Sequence, residues 1–145
     1  MVNTNSQQFS LTLKAALSDN WGYSLIMERF QEDNADAGSF GLPNSASENR
    51  RLSWQNNYSF DARNLLSFGV DRQEQELRYA TFGALQTDTS RDNDGVFGVY
   101  IHEGAALDFT LSLRNDDSER FGDHSTGSVA IGRDLTDSVR AWVSY

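Results

Sequence analysis

The segment Ala106–Asp116, "ALDFTLSLRND", alternates strictly between apolar and polar residues from Leu107 to Arg114. In an extended chain Leu107, Phe109, Leu111 and Leu113 fall on one face, and Asp108, Thr110, Ser112 and Arg114 fall on the other. A period of two is typical of a β-strand with one apolar and one polar face, since a helix repeats every 3.6 residues. The apolar face must therefore lie against a protein core or against lipid.

The same alternation recurs along the chain and predicts eight strands. They are Gln8–Ser18, Trp21–Phe30, Arg51–Phe60, Leu66–Asp71, Phe97–His102, Ala106–Asp116, Ser128–Gly132 and Val139–Tyr145. In the fifth strand we place Phe97, Val99 and Ile101 on the apolar face, with Gly98, Tyr100 and His102 opposite. No segment has a helical period, so the sequence predicts an all-β fold.

The predicted connections alternate between short turns and long polar loops. The short turns are Asp19-Asn20, Asp61–Asn64, Glu103–Ala105 and Asp134–Asp137, and the loops are Gln31–Ser47, Gln75–Asp94 and Asn115–Asp123. Short turns at one end and long loops at the other are typical of bacterial outer-membrane barrels, with the short turns in the periplasm. We therefore predict one domain, residues 1–145, forming an eight-stranded antiparallel up-and-down transmembrane β-barrel.

Composition excludes several other classes of protein. No stretch of ~18 consecutive apolar residues is present, which excludes a transmembrane helix. The net charge of -9 argues against a nucleic-acid partner, because phosphate binding needs clustered Lys and Arg. Cysteine is absent, so disulfides and thiol chemistry are excluded. The start "MVNTNSQQ" has neither the basic residues nor the apolar run of a signal peptide.

The residue types on the apolar face change along the strands, from aromatic near the short turns to aliphatic further away. This distribution favours lipid as the environment of the apolar face. We predict lipid-facing side chains at Leu11, Leu13, Leu25, Trp54, Phe68, Phe109, Leu111, Val129 and Val143. Interfacial aromatic residues are predicted at Trp21, Tyr23, Tyr58, Phe60 and Tyr145, most of them beside short turns. Aromatic rings at the interface and aliphatic residues at mid-depth form the girdle of a membrane barrel.

The opposite face combines small residues with a few large charged ones. We predict a polar network inside the barrel that contains Lys14, Glu28, Arg51, Asp71, Asp108, Arg114 and Arg140. These charges must be paired, because an unpaired charge is costly to remove from water. The alternative is a soluble eight-stranded calyx with the apolar face inward, which would bind a small apolar ligand.

Several segments resemble the barrel of the TonB-dependent outer-membrane receptors, in particular that of the cobalamin receptors. The resemblance rests on "LLSFGVDRQEQ" from Leu65, "DNDGVFG" from Asp92, "RNDDSERFGDHSTGSVAIG" from Arg114 and "LTDSVRAWVSY" from Leu135. It implies active uptake of a large, scarce nutrient through a barrel of about 22 strands closed by a plug. The segments that carry the plug and the energy-coupling box have no counterpart here, so we expect a structural barrel without independent energised transport.

No motif predicts catalysis or a resident cofactor. There is no nucleophile elbow and no phosphate-binding glycine loop, so we predict a non-enzyme. The two histidines, His102 and His124, lack metal-site spacing, and we place His102 on the polar face. Calcium is the one metal that the acidic stretches suggest, at Asp92, Asp94, Asp116 and Asp117.

We expect lipid or detergent as the main partner of the chain, and the bacterial outer membrane as its location. In a cell the barrel-assembly machinery would insert it. If the first strand does not pair with the eighth, two copies would have to form a homo-oligomer, because open strand edges in lipid leave backbone groups without hydrogen bonds.

Overall fold

The fold is a single antiparallel sheet of eight strands, each hydrogen-bonded to its neighbours in chain order. The computed structural model describes residues 2–36, 44–81, 84–136 and 138–145. The strands are β1 (Val2–Ser18), β2 (Trp21–Asp36), β3 (Asn44–Asp61), β4 (Asn64–Thr81), β5 (Ala84–Glu103), β6 (Leu107–Ser118), β7 (Gly122–Thr136) and β8 (Val139–Ser144). The prediction of eight antiparallel strands in an up-and-down order is confirmed.

The sheet is open in the part of the chain that the structure describes. β1 pairs with β2 only, and β8 pairs with β7 only. The backbone pairing of β8 extends to Tyr145, whose N–H and C=O both bond Val129 at 2.9 Å. The described strands therefore form one open antiparallel sheet, and the predicted closed barrel is not confirmed. Among the described residues, no helix is long and apolar enough to cross a membrane.

The predicted long loops are wrong over most of their length. β2 continues to Asp36 and β3 begins at Asn44, whereas we predicted a loop over Gln31–Ser47. Most of Gln75–Asp94 likewise lies in β4 and β5, and most of Asn115–Asp123 in β6 and β7. Polar composition indicated loops, but the backbone ladder and cross-strand ion pairs continue the hairpins beyond the apolar residues.

Register divides the side chains into two faces, which we call the Leu111 face and the Arg114 face. One row of directly paired residues runs Trp21, Tyr58, Leu66, Tyr100, Leu111 and Val129 across β2 to β7. A second row lies three residues further along each strand and therefore on the opposite face. It runs Lys14, Ser24, Gln55, Gly69, Phe97, Arg114 and Thr126. The predicted lipid-facing and interfacial residues all fall on the Leu111 face, and the seven predicted charged residues all fall on the Arg114 face.

The fifth strand is the exception, because its two faces are the reverse of those predicted. Tyr100 pairs with Leu111 and His102 pairs with Phe109, so both lie on the Leu111 face. We predicted a three-residue turn at Glu103–Ala105, but Glu103 pairs with Asp108 and four residues separate them. A change of one residue in the turn moves every side chain of a strand to the other face.

The sheet has no buried apolar core among the described residues. The buried polar residues are instead Ser53, Asn56 and Asp71, while Leu11, Leu111 and many other large apolar side chains remain exposed. An apolar surface of this extent on a soluble monomer would favour association, so this sheet needs a second apolar phase or a partner.

The extended hairpins give a first prediction. Backbone amides at residues 73–79 of β4 lie between β3 and β5 and are paired on both sides, whereas Ala105 and Ala106 lie in a turn. We expect the hairpin amides to exchange with deuterium at least ~10-fold more slowly than the turn amides, because exchange requires opening of the ladder. Equal rates, measured by mass spectrometry, would contradict the extended strands.

Candidate functional site

Apolar side chains form a band across the Leu111 face, and charged residues end that band abruptly on its long-hairpin side. The last large apolar residue on that side of the Leu111 face is, for β1 to β7 in order, Phe9, Met27, Leu52, Val70, Val96, Leu113 and Val129. Two residues further on, the same face carries Arg29 on β2, Arg50 on β3, Arg72 on β4 and Asp94 on β5. The border between apolar and charged residues is therefore sharp.

This border crosses the hydrogen-bonded rows at an angle. We measure its position by the β2 residue in the same hydrogen-bonded row. The border residue of β1, Phe9, is in the row of Arg29, and that of β7, Val129, is in the row of Trp21, so the border shifts by eight residues from β1 to β7. Eight residues correspond to ~26 Å, and the six strand spacings from β1 to β7 correspond to ~29 Å. The resulting angle of ~40° lies within the strand tilt of membrane barrels, about 35–45°.

A chain of aromatic contacts follows the short-turn side of the band. Trp21 packs edge-on against Tyr58 at 6.1 Å, and Tyr58 packs against Phe60 at 4.9 Å. Tyr100 continues the chain to Phe109 at 5.4 Å, and His102 stacks on Phe109 at 5.3 Å. The sequence analysis did not predict Tyr100 and His102 on this face, because it assigned the two faces of the fifth strand the wrong way round. The number of residues in the β5–β6 turn, four instead of three, decides which face they occupy.

Asn64 anchors this aromatic chain to the turn between β3 and β4. The Tyr100 hydroxyl donates to Asn64 Oδ1 at 2.6 Å, and His102 Nδ1 lies 2.8 Å from the same oxygen. Asn64 Nδ2 in turn donates to Asp61 at 2.7 Å. The rings thus keep their polar atoms at the turn side and their apolar surfaces along the band, as interfacial aromatic residues do.

Asn56 is a polar interruption of the band at the centre of the sheet. It is only 1% exposed, and its Oδ1 accepts a hydrogen bond from Trp21 Nε1 at 3.2 Å. The bond satisfies the indole N–H, which would otherwise be unpaired on an apolar surface.

Beyond the border lies a charged rim on the same face. Its members are Arg29, Glu48, Arg50, Arg72, Glu74, Asp92 and Asp94. Ion pairs connect them from β2 to β5: Arg29 Nε and Arg50 Nε both donate to Glu48 Oε1, at 2.7 and 2.5 Å, and Arg72 bonds Glu74 and Asp92 at 3.0 and 2.7 Å. The hydrogen bonds from Arg29 and then Arg50 lower the pKa of Glu48.

The Arg114 face is organised around one bidentate ion pair. Arg114 on β6 reaches across β5 to Asp71 on β4, with Nη1–Oδ2 and Nη2–Oδ1 distances of 2.8 and 3.0 Å. The same guanidinium donates to Asp116 at 2.6 and 2.7 Å, and Asn93 donates to Asp116 at 2.9 Å. Asp71 is 8% exposed, so this is the buried, paired charge that the sequence led us to expect on this face.

Gly95 makes this pair possible. A Cβ atom at residue 95 would lie 2.2 Å from Arg114 Nη2, inside the guanidinium. Phe97 and Trp142 likewise lie over Gly69 and Gly132, where a Cβ would approach their rings to 2.9 and 2.7 Å. Large side chains from one strand thus fill the space above glycines of the next, a packing known as aromatic rescue where the side chain is a ring.

The remaining charged residues predicted on this face divide into two groups. Arg140 forms ion pairs with Asp108 and, at 3.5 Å, with Asp134. Lys14, Glu28 and Arg51 share the face, but among the described residues none of the three is in an ion pair within 4 Å. The predicted network is therefore replaced by one cluster around Arg114 and another around Arg140, and Lys14, Glu28 and Arg51 belong to neither.

Three of the four carboxylates suggested for calcium bond arginines, and Asp117 forms no ion pair among the described residues. Asp92 and Asp94 bond Arg72, and Asp116 bonds Arg114. The described part of the chain contains no group of three or more His, Asp or Glu residues arranged to hold a metal ion. The geometry thus gives the calcium suggestion no support.

Comparison with known proteins identifies distant relatives. The chain is 24% identical over 125 residues to the vitamin B12 transporter BtuB of Vibrio vulnificus, covering 83% of this chain and 20% of the relative. It is 21% identical over 141 residues to the vitamin B12 transporter BtuB of Photobacterium profundum, covering 96% and 23%. The predicted resemblance to TonB-dependent receptors is confirmed, and the chain spans about a fifth of the length of these relatives. No protein-family model matches the chain.

The charged rim yields a prediction about pH. Because the pKa of Glu48 is lowered in the folded state, its contribution to stability is present above the unfolded pKa and is lost as the pH falls through the folded pKa. We expect the Glu48 carboxyl resonance to titrate below the ordinary value for glutamate. Arg29→Gln should move the titration upward, and an unchanged titration in that variant would contradict the assigned cause.

The Arg114 cluster yields a stability prediction with an internal control. Gly95→Ala should displace the guanidinium from buried Asp71 and lower the free energy of unfolding by about 2 kcal/mol. Gly98 lies on the same strand, and a Cβ added there would have no atom within 4 Å, so Gly98→Ala should leave stability nearly unchanged. Urea titration followed by tryptophan fluorescence measures both, and equal losses would contradict the role of Gly95.

Proposed function

We propose that this chain forms part of the wall of an outer-membrane β-barrel of the TonB-dependent receptor type, with the Leu111 face toward lipid. The Arg114 face then lines the polar interior. The short turns would lie in the periplasm and the long hairpins outside the cell. This role is structural, and energised uptake is not assigned to these residues.

The observation that carries the proposal is the oblique apolar band. A bilayer is flat, so the band must be perpendicular to the membrane normal, and its angle to the hydrogen-bonded rows equals the tilt of the strands. The slope of ~40° is the tilt that a barrel requires. A soluble calyx is also built from tilted strands, so the slope supports a barrel, and the aromatic and charged borders of the band favour lipid over an internal ligand.

Three further features support lipid contact. The aromatic chain from Trp21 to Phe109 follows the short-turn border, as interfacial rings do. The charged rim follows the other border, at the height of lipid headgroups. The relatives are vitamin B12 transporters, and these are outer-membrane proteins.

Closure of the sheet belongs to the same proposal. Open edges of β1 and β8 would leave backbone groups unpaired in lipid at a cost of several kcal/mol each, so both edges must pair with strands in the membrane. An eight-stranded barrel satisfies this with β1 against β8, whereas a wider barrel uses additional strands. The mass of the protein in detergent distinguishes one copy from two.

Two leucine variants test the lipid contact. Leu111 lies inside the band and is 43% exposed. Leu77 lies beyond the band, on the Arg114 face of the long β4–β5 hairpin, and is 44% exposed. Leu111→Arg should cost ~2–4 kcal/mol in a bilayer and reduce insertion into vesicles, whereas Leu77→Arg should insert normally. Insertion is measured as heat-modifiable migration on a gel.

The two positions are matched in residue type, exposure and substitution, and they differ in the face of the sheet and in their position relative to the band. A soluble protein would show no difference between the two variants in insertion and would fold in plain buffer. A monodisperse folded species in buffer without detergent, or equal insertion of the two variants, would overturn the lipid-facing assignment.

A further inference from the structure

Two arginines at the long-hairpin end of the sheet are not in ion pairs, although the chain is strongly acidic. The sequence has 21 Asp and Glu against 12 Lys and Arg. Arg91 on β5 and Arg120 after β6 have no carboxylate of the described residues within 4 Å. The described arginines that do bond carboxylates are Arg29, Arg50, Arg72, Arg78, Arg114 and Arg140.

Both unpaired arginines line one groove. The groove has a volume of about 410 Å³, and its wall includes Phe30, Asn49 and Gln75. Register places Phe30, Asn49, Gln75 and Arg91 in a single row on the Arg114 face. A second groove shares Gln75 and Arg91 and reaches Phe121. The site therefore lies opposite the apolar band and faces away from lipid.

The hydrogen bonds leave the charged ends of these arginines available. Arg91 donates through Nε to Gln75 Oε1, a neutral acceptor, so its two terminal nitrogens remain for another partner. The Arg120 guanidinium lies over the Phe121 ring, 5.8 Å from its centroid, and is thus held by an aromatic face instead of a carboxylate. Asn49 accepts from Gln73 at 3.0 Å and adds amide N–H donors.

The acidic residues nearest the groove do not cancel this positive charge. Glu48 and Glu76 both contribute atoms to the wall, but register places them one residue away from Asn49 and Gln75 and hence on the Leu111 face. Glu48 is also bonded by Arg29 and Arg50, and Asp92 in the adjoining groove is bonded by Arg72. On the Arg114 face, Glu32 lies in the neighbouring row with Ser47, Leu77 and Thr89 of the wall. One carboxylate therefore faces the two cations of the groove, which keep an excess of positive charge.

We infer that this groove binds a small phosphate ester. Guanidinium groups form bidentate hydrogen bonds to oxyanions. Two guanidinium groups and an amide offer enough donors for the three free oxygens of a phosphate ester, whereas a planar carboxylate has only two oxygens to accept them. Phe30 offers an apolar surface for the carbon skeleton of the ligand. The site goes beyond the lipid-facing role proposed above, because it lies on the other face.

The test uses the full chain in maltoside solution, which contains no phosphate, with folding verified by circular dichroism. Glycerol 3-phosphate is titrated by calorimetry at low salt, with inorganic phosphate, glycerate and glycerol as comparison probes. We expect millimolar or tighter binding of glycerol 3-phosphate and none of glycerol. Glycerate, the matched carboxylate, should bind at least ~10-fold more weakly, and equal binding would overturn the phosphate assignment.

Single-residue variants locate the site. Arg91→Gln and Arg120→Gln should each weaken binding about 10-fold, since each removes a charged hydrogen-bond donor. Arg63→Gln is the matched control: Arg63 is exposed at the β3–β4 turn at the other end of the sheet, so binding should not change.

An equal loss in Arg63→Gln and Arg91→Gln would show a general charge effect and overturn the site. A phosphate group could come from a soluble ester or from a lipid headgroup. Adding phosphatidylglycerol to the micelles distinguishes the two, because its binding is measured beside that of glycerol 3-phosphate. If the lipid binds and glycerol 3-phosphate does not, the proposal of a soluble ligand is wrong. Since the lipid-facing role is tested by insertion of Leu111→Arg, failure of one proposal is distinguishable from failure of the other.

Discussion

The backbone register of the eight strands is the constraint on which every other feature depends. It places Leu111, Tyr100 and Tyr58 in one row and Arg114, Phe97 and Gln55 in another. Because side chains alternate with a period of two, the ladder alone decides which residues meet on which face. The apolar band, the aromatic chain and the Arg114 cluster all follow from it. A slip of one residue in any hairpin would mix charged and apolar groups across the sheet.

The two faces of the sheet differ in how their side chains are covered and paired. On the Leu111 face, apolar side chains remain exposed, and the borders carry aromatic rings on one side and paired charges on the other. On the Arg114 face, bulky side chains from one strand lie over glycines of the next, so that charges such as Asp71 can be buried and paired. A soluble two-layer protein would show the reverse distribution, with its apolar face covered and its charges outside.

The long hairpins extend the Arg114 face beyond the band and give it a second environment. There the pairing is maintained by backbone bonds and by ion pairs such as Arg78–Asp88, not by apolar contacts. This end of the sheet holds the groove with Arg91 and Arg120. The extension therefore separates a region with an apolar face from a region suited to polar solutes, within the same strands.

The sequence by itself determined the all-β class, the eight strands and the residues of the two faces in seven of them, because alternation is a local property. It also placed Asp71, Asp108, Arg114 and Arg140 together on one face. Only the tertiary structure decided the frame of β5, the length of the hairpins and the partner of each charge. The reason is distance along the chain. Arg114 bonds Asp71, which lies 43 residues earlier in the sequence, across Gly95 on the strand between them, and no local pattern determines how those strands are aligned.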